Sequence, residues 1–153
     1  MKITFGKYIG KAMEMLVLKV PEYVAWMLEQ HAAPSSQMAK AQDEAKRLII
    51  KFDDKPFMKK CSGKNCNETA TRCTVYDANV LNPYWWCENC NPYQSGAAPG
   101  KLQVLTTYCQ AISHVENYYG NRKSDYQSII RSMAEAKGLP RRVGDAQSTK
   151  FFL

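Results

Sequence analysis

The sequence lacks a long hydrophobic run. None of its 153 residues belongs to a stretch approaching the roughly 20 apolar residues that a membrane-spanning helix needs. The first residues, Met1 to Lys7, have neither the apolar core nor the small-residue cleavage site of a secretory signal. These absences argue against a membrane-spanning or exported protein, and we expect a cytoplasmic one.

Residues that carry catalysis are also scarce. Histidine occurs only at His31 and His114, and neither stands in a Ser/His/Asp or Cys/His setting. The glycine pair near the N-terminus has the wrong spacing for a nucleotide-binding phosphate loop, and no Ser or Thr follows its lysine. Asp53 and Asp54 are flanked by lysines, which favours a charged loop. We therefore expect no enzymatic activity and assign no catalytic residue.

Acidic residues are fewer than basic ones. Lys and Arg total 21 against 14 Asp and Glu, so the formal net charge is +7. Residues 1–60 carry 11 basic and 7 acidic side chains, residues 101–153 carry 8 and 4, and residues 61–100 carry only 2 and 3. A basic excess at both ends favours a polyanionic partner, DNA or RNA.

Composition divides the chain into three segments and predicts an α+β protein. The first, 1–60, begins with a strand candidate at Ile3-Thr4-Phe5, a glycine turn and helix-prone residues from Ala12 to Leu18. Pro21 suits the first position of a second helix, on which we expect Trp26 to be part of the core. Pro34-Ser35-Ser36 offers hydroxyl caps for a third helix.

The other two segments predict a hairpin of strands and a hairpin of helices. In the segment 61–100, residues 71–76 and 83–86 are rich in Thr, Val, Tyr and Trp, and Asp77-Ala78-Asn79 is the expected turn. A loop is expected at 95–100. In the segment 101–153, an apolar stripe predicts a helix from Leu102 to Tyr119, ended by Gly120-Asn121. The second helix is expected to start with a capping box, Ser124 with Gln127, and to end at Gly138.

Four of the six cysteines form two close pairs. The spacing is Cys61-x4-Cys66 and, after 20 residues, Cys87-x2-Cys90. Paired thiolates at the ends of a strand hairpin are typical of a zinc ribbon, so we expect one Zn²⁺ bound by these four residues. Cys73 lies within a predicted strand, outside the site. Cys109 lies on an apolar helix stripe, which predicts a core position.

A closed site of four cysteines leaves no open coordination position, so we expect a structural metal. The ribbon can act as a structural element alone, or it can also present Tyr84, Trp85 and Trp86 to a nucleic-acid base or a partner. Because consecutive strand residues face opposite sides, at least one of the two tryptophans is expected in the core.

The first segment contains a distinctive pattern. Residues 5–11 read Phe-Gly-Lys-Tyr-Ile-Gly-Lys, and residues 21–26 read Pro-Glu-Tyr-Val-Ala-Trp. Together they resemble the small module found at the C-terminus of exodeoxyribonuclease X-like proteins, over about 30 of the 153 residues. The resemblance implies an accessory nucleic-acid-associated module, because nothing here supplies the acidic metal ligands of the family's nuclease domain.

The same residues suit nucleic acid on physical grounds. Lysines beside an aromatic ring on a glycine turn can hold a phosphate and a stacked base. The alternative for Tyr8 is packing against Trp26. In the third segment, basic residues cluster at helix connections, where solubility is the competing explanation. The predicted nucleic-acid contacts are Lys7, Tyr8, Lys11, Arg122, Lys123, Arg131, Arg141 and Arg142.

Together these patterns predict a non-enzymatic, zinc-containing nucleic-acid-binding accessory protein. The same patterns are compatible with a subunit of a larger nucleoprotein complex, such as a ribonucleoprotein. The alternative is a phage- or plasmid-borne protein-interaction factor that docks on a host or effector complex. Steep salt dependence of binding would favour the first.

Overall fold

The computed structural model describes residues 1–76, 79–91, 102–118 and 122–153. Within these ranges six helices accompany a three-stranded antiparallel sheet, so the predicted α+β class is confirmed. In chain order the elements are α1 (Met13–Lys19), α2 (Pro21–Glu29), α3 (Gln37–Asp54), β1 (Arg72–Tyr76), β2 (Asn79–Trp86), β3 (Leu102–Leu105), α4 (Tyr108–Tyr118), α5 (Lys123–Ala136) and α6 (Asp145–Phe151). No helix in the described ranges is both long enough and apolar enough to cross a membrane.

A compact turn replaces the strand predicted at Ile3-Thr4-Phe5. The backbone N–H of Ile3 donates to Lys11 O at 2.9 Å, and the N–H of Gly10 donates to Ile3 O at 2.8 Å. Gly6 and Gly10 have φ of 72° and 83°, a conformation that residues with a Cβ rarely adopt. The chain therefore folds back on itself before an extended partner strand can form, and the predicted glycine turn is confirmed.

The first three helices begin where the local signals predict. Pro21 is the first residue of α2, and the Ser36 hydroxyl accepts the backbone N–H of Ala39 at 3.1 Å at the start of α3. The loop predicted at Asp53-Asp54 is wrong, because both residues belong to the last turn of α3. Asp53 Oδ1 accepts the backbone N–H of Tyr108 at 2.8 Å and so joins the end of α3 to the start of α4.

The central strand of the sheet is β1, which pairs with β2 on one side and β3 on the other. Cys73 lies opposite both Trp85 and Leu105. Residues 102–105 are therefore a strand, which corrects the helix predicted from Leu102 onward. Their apolar pattern fits both helix and strand, and pairing with β1 decides between them. The expected turn at 77–78, the loop at 95–100 and the helix end at 120–121 lie outside the described residues.

The capping box occurs at a different place from the one predicted. The Thr107 hydroxyl accepts the backbone N–H of Gln110 at 3.2 Å, while Gln110 Oε1 accepts the backbone N–H of Thr107 at 3.3 Å. At α5 the N-cap is Arg122, which makes no side-chain cap bond. The predicted box of Ser124 and Gln127 does not form, because α5 already begins at Lys123 and Ser124 is therefore inside the helix; the Gln127 amide donates to Glu22.

Gly138 ends α5 as predicted. Its φ is 105°, and the backbone N–H of Leu139 donates to Ala134 O at 3.0 Å. The preceding residue, Lys137, turns its buried ammonium group toward the end of α3. There it donates to the backbone oxygens of Phe52 at 2.6 Å and Lys55 at 2.7 Å. Two helix ends are thus joined by one side chain.

A single cluster of buried side chains includes residues from all three sequence segments. It contains Met27 and Phe52 from the first, Cys73 and Val75 from the second, and Tyr108 from the third. The Tyr108 hydroxyl, fully buried, donates to Val17 O at 2.7 Å, and its ring meets Phe52 edge-on. The sheet and the helices therefore share their packing.

Candidate metal centre and binding surfaces

The four paired cysteines converge in space. One sulfur atom from each of Cys61, Cys66, Cys87 and Cys90 lies within 4.8 Å of all the others. The Sγ atoms of Cys66 and Cys87 are 3.8 Å apart. A tetrahedral ion about 2.3 Å from each sulfur requires sulfur atoms about 3.8 Å apart, whereas a disulfide requires about 2.0 Å. The cluster has the dimensions of a metal centre.

The first cysteine pair is held between the end of β2 and a returning loop. The backbone N–H of Cys61 donates to Glu68 O at 2.9 Å, and that of Ser62 donates to Trp85 O at 2.7 Å. Between the two cysteines the chain turns at Asn65, whose φ is 59°. Asparagine tolerates this left-handed conformation better than most residues do, which explains how a four-residue spacer still closes.

Gly63 has a steric role beside the cluster. Its φ is outside the left-handed region, so the turn does not require its flexibility. A Cβ at this position would lie 2.6 Å from Cys90 Sγ and 3.3 Å from Cys61 Sγ. The sulfur atoms therefore occupy the space that a side chain at this position would need.

The sulfur atoms influence one another's ionisation. Although burial opposes the change, N–H groups of Cys87 and Gly63 lower the pKa of Cys61 to about 7. Hydrogen bonds with the sulfurs of Cys87, Cys66 and Cys61 raise the pKa of Cys90 to about 12. The four thiols therefore do not all ionise together near neutral pH, and a bound cation would compensate their mutual repulsion.

The other two cysteines differ from each other. Cys73 is fully buried in β1, where burial raises the pKa of its thiol to about 12, and it is not one of the four clustered cysteines, as predicted. Cys109 is exposed, which corrects the core position expected for it. Its predicted helix began too early, at Leu102. The observed α4 begins at Tyr108, and it is Tyr108 that faces the core.

The aromatic residues of β2 divide between core and surface. Trp85 packs on the core with its ring 5.0 Å from that of Phe57, so the expectation of one core tryptophan is met. Trp86 is half-buried and donates its indole N–H to the Thr74 hydroxyl at 2.8 Å. Tyr84 is 54% exposed and remains available to a partner.

Trp26 is not a core residue. It is 48% exposed, whereas Val24 and Met27 of the same helix are fully buried. Its ring lies 5.4 Å from that of Tyr23, which in turn meets the Tyr8 ring at 4.7 Å. Tyr8 therefore packs on Tyr23, and the three rings form a continuous aromatic surface.

This surface belongs to a concave region of about 500 Å³ that we call the aromatic groove. Its aromatic lining consists of Tyr8, Tyr23, Trp26 and Tyr126. Its charged lining consists of Lys7, Lys123, Glu22, Glu29 and Glu116. Three of the predicted nucleic-acid contacts, Lys7, Tyr8 and Lys123, therefore meet here, together with three carboxylates that the sequence did not place beside them.

Two other predicted contacts, Arg131 and Arg141, line a smaller concave surface of about 180 Å³, the basic groove. Lys19 also lines it, and its Nζ donates to Val143 O at 3.0 Å. Arg131 pairs with Glu135 at 3.1 Å but keeps 63% of its side chain exposed. Sequence reasoning missed Lys19, because nothing local places the end of α1 beside α5.

The remaining predicted contacts are exposed but line neither groove. Lys11 and Arg142 are accessible to solvent. Arg122 donates to Asp125 at 2.7 Å, so its charge is partly compensated. The eight predicted contacts thus do not form one surface; they divide between two grooves and isolated positions.

Comparison of the chain with protein-family models, with curated proteins and with solved structures finds no match. The resemblance of residues 5–26 to the exodeoxyribonuclease X-like module stays a prediction.

Proposed function

We propose that this chain is a non-enzymatic, zinc-containing nucleic-acid-binding protein that acts in the cytoplasm as an accessory factor or as a subunit of a larger nucleoprotein complex. Two features support the proposal: a closed four-thiolate site and a basic groove built from distant parts of the sequence. The N-terminal resemblance points in the same direction.

Zinc is the metal that best suits the cysteine cluster. Four cysteine sulfurs are the donor set of structural zinc sites, and the four that cluster here would fill all the coordination positions of such an ion. Such an ion has no position for a reacting water or substrate. Its role would be to stabilise the loops at residues 61–66 and 87–90 against the end of β2.

The observation that carries the nucleic-acid assignment is the lining of the basic groove. Lys19, Arg131 and Arg141 are its three charged residues, and no carboxylate is among the described residues that line it. Cations that remain partly hydrated and close together suit consecutive phosphates of a nucleic-acid backbone.

Binding at different salt concentrations tests this function. We expect the zinc-loaded protein to bind DNA or RNA at low salt and to release it steeply as salt rises. A double variant, Arg131→Ala with Arg141→Ala, should weaken binding and reduce the salt slope by roughly 1 for each lost contact. The matched control is Lys40→Ala with Lys46→Ala, which removes two exposed charges of α3 outside the groove.

The second candidate function is docking on a protein partner. It is favoured by Tyr84, which is 54% exposed on the strand that leads into the metal centre. If the zinc-loaded protein binds neither DNA nor RNA at low salt, the nucleic-acid proposal is wrong and protein docking takes its place.

A further inference from the structure

The aromatic groove has the size and lining of a ligand site. Its volume of about 500 Å³ is in the range of small-molecule pockets, roughly 300–1,000 Å³. Trp26 lies at its surface with 48% of the residue exposed, although a large apolar ring is more stable when buried. Tyr23 supports this ring at a centroid distance of 5.4 Å and is itself supported by Tyr8 at 4.7 Å. The exposed indole therefore rests on other rings, as in a stacking platform.

The charges around Trp26 favour a base over a phosphate as the group that binds next to its ring. Glu29 and Glu116 both line the groove and are largely exposed; partial desolvation of the Glu116 carboxyl, together with the charge of Glu29, raises the pKa of Glu116. Carboxylates repel phosphate, but they accept hydrogen bonds from exocyclic amino groups such as N4 of cytosine. Lys7 and Lys123 line the same groove and supply positive charge for a flanking phosphate.

The two grooves are neighbours. Gln127 lines the basic groove and Glu22 lines the aromatic groove, and Gln127 Nε2 donates to Glu22 Oε1 at 2.8 Å. This pair forms a common wall between them. A strand with its backbone along Lys19, Arg131 and Arg141 can thus place an adjacent nucleotide in the aromatic groove.

We propose that the aromatic groove binds an unpaired, amino-bearing base of single-stranded nucleic acid by stacking on Trp26, with carboxylates of the groove accepting the amino group. The inference rests on the proposed function and adds its substrate class. It requires an unpaired base, because the stacking faces of a duplex are occupied by neighbouring base pairs.

Anisotropy titrations of the zinc-loaded protein with labelled dC12, rC12, dT12 and a dC12·dG12 duplex, at one fixed salt concentration, test the proposal. We expect dC12 or rC12 to bind more tightly than dT12, and the two cytosine strands distinguish DNA from RNA. Trp26→Ala should weaken binding of the preferred cytosine strand roughly 5- to 150-fold, the effect of losing one stacked base, and leave duplex binding unchanged.

Matched variants separate stacking from other effects. Ile50→Ala removes another exposed apolar side chain that does not line the groove and should leave all affinities unchanged. Trp26→Leu keeps an apolar side chain without a ring and should behave like Trp26→Ala. The double variant Glu29→Gln with Glu116→Gln should reduce the preference for cytosine over thymine, because an amide both donates and accepts.

The outcomes distinguish the two proposals. Failure of every nucleic acid to bind would overturn the proposed function and this inference with it. Binding that is unchanged in both Trp26 variants would overturn only the inference. Binding of a lysine-rich peptide that depends on Trp26, without any effect of Trp26 on oligonucleotides, would identify the groove as a cation site and would also overturn it.

Discussion

At the scale of single residues, the space beside the metal centre decides which side chains are tolerated. Gly63 is the clearest case, because a Cβ there would lie 2.6 Å from Cys90 Sγ. The contact is with a sulfur atom held in the four-cysteine cluster, so the conflict cannot be relieved by moving the end of a flexible side chain. The glycine is therefore required by the packing of the cluster.

We predict that Gly63→Ala weakens zinc binding roughly 10- to 100-fold, a magnitude typical of changes next to metal ligands. Competition with a zinc-sensitive dye would measure it. Gly144→Ala, at the start of α6 and remote in sequence from the cysteines, should keep the wild-type zinc affinity. A Gly63→Ala protein that binds zinc as tightly as wild type would show that the loop moves freely.

Tyr108 and Trp26 show how two large aromatic residues can contribute very differently to stability. Tyr108→Phe removes the hydroxyl that donates to Val17 O at 2.7 Å in a fully buried position. We predict a loss of about 1–3 kcal/mol in the free energy of unfolding, because a buried acceptor loses its partner. Urea denaturation measures this, with Tyr84→Phe as the exposed control.

Trp26→Ala should have a smaller effect, about 1 kcal/mol or less, since the residue is 48% exposed. The same urea titration compares it with wild type. A loss of about 3 kcal/mol or more, the range for a packed tryptophan, would restore the core role that its spacing after Tyr23 suggests.

At the scale of secondary-structure elements, Lys137 joins the end of α5 to the end of α3. Its ammonium donates to Phe52 O and Lys55 O and lies 4.8 Å and 4.6 Å from the ring centroids of Phe52 and Phe57. Burial lowers the pKa of Lys137 to about 8, although the charge of Asp53 opposes the change. The helix end is therefore capped by a group that loses its proton close to physiological pH.

This pKa gives a pH prediction with a definite sign. Between pH 8 and about 10.5 the unfolded chain holds a proton on Lys137 that the folded chain has lost, so this residue's contribution to stability rises with pH. The difference in unfolding free energy between wild type and Lys137→Met should therefore increase across that window in favour of wild type. Lys150→Met, an exposed change on α6, should show no such trend. A pH-independent difference for Lys137→Met would contradict the shifted pKa.

At the scale of the whole molecule, the metal centre and the helices are coupled through one core. Strand β1 contributes Cys73 and Val75 to the same buried cluster as Phe52 and Tyr108, and β2, which pairs with β1, leads into the cysteine site. Loss of metal at the end of β2 should therefore destabilise the helices as well as the loops that carry the cysteines.

We predict that chelation of zinc lowers the melting temperature of the whole protein, because metal binding contributes directly to folding free energy. Helical circular dichroism during heating measures this. Cys87→Ser should reproduce the effect of chelation, and Cys109→Ser, which changes an exposed thiol outside the cluster, should not. Unchanged melting of the helices without metal would mean that the centre is an independent unit.

Local signals were sufficient for several features of this molecule. The start of α2 at Pro21, the Ser36 cap and the Gly138 helix end each depend on a few neighbouring residues, and all were predicted correctly. The cysteine spacing likewise determines which four sulfurs can converge. The Thr107-x-x-Gln110 box was visible in the sequence as well, but an apolar stripe that continued through it concealed the strand before it.

Other features depended on contacts between residues far apart in sequence. Residues 102–105 became a strand because β1 offered an unpaired edge, and Lys19 met Arg131 because α1 packs on α5. The sequence by itself determined where α2 and α3 begin and where α5 ends, since these depend on a few neighbouring residues. It also determined the basic excess, through composition, and the cysteine pairs, through their spacing. Only the tertiary structure decided that Trp26 stays exposed, that carboxylates surround it and that the basic residues divide between two grooves. The physical reason is that exposure and local charge depend on which other elements pack nearby.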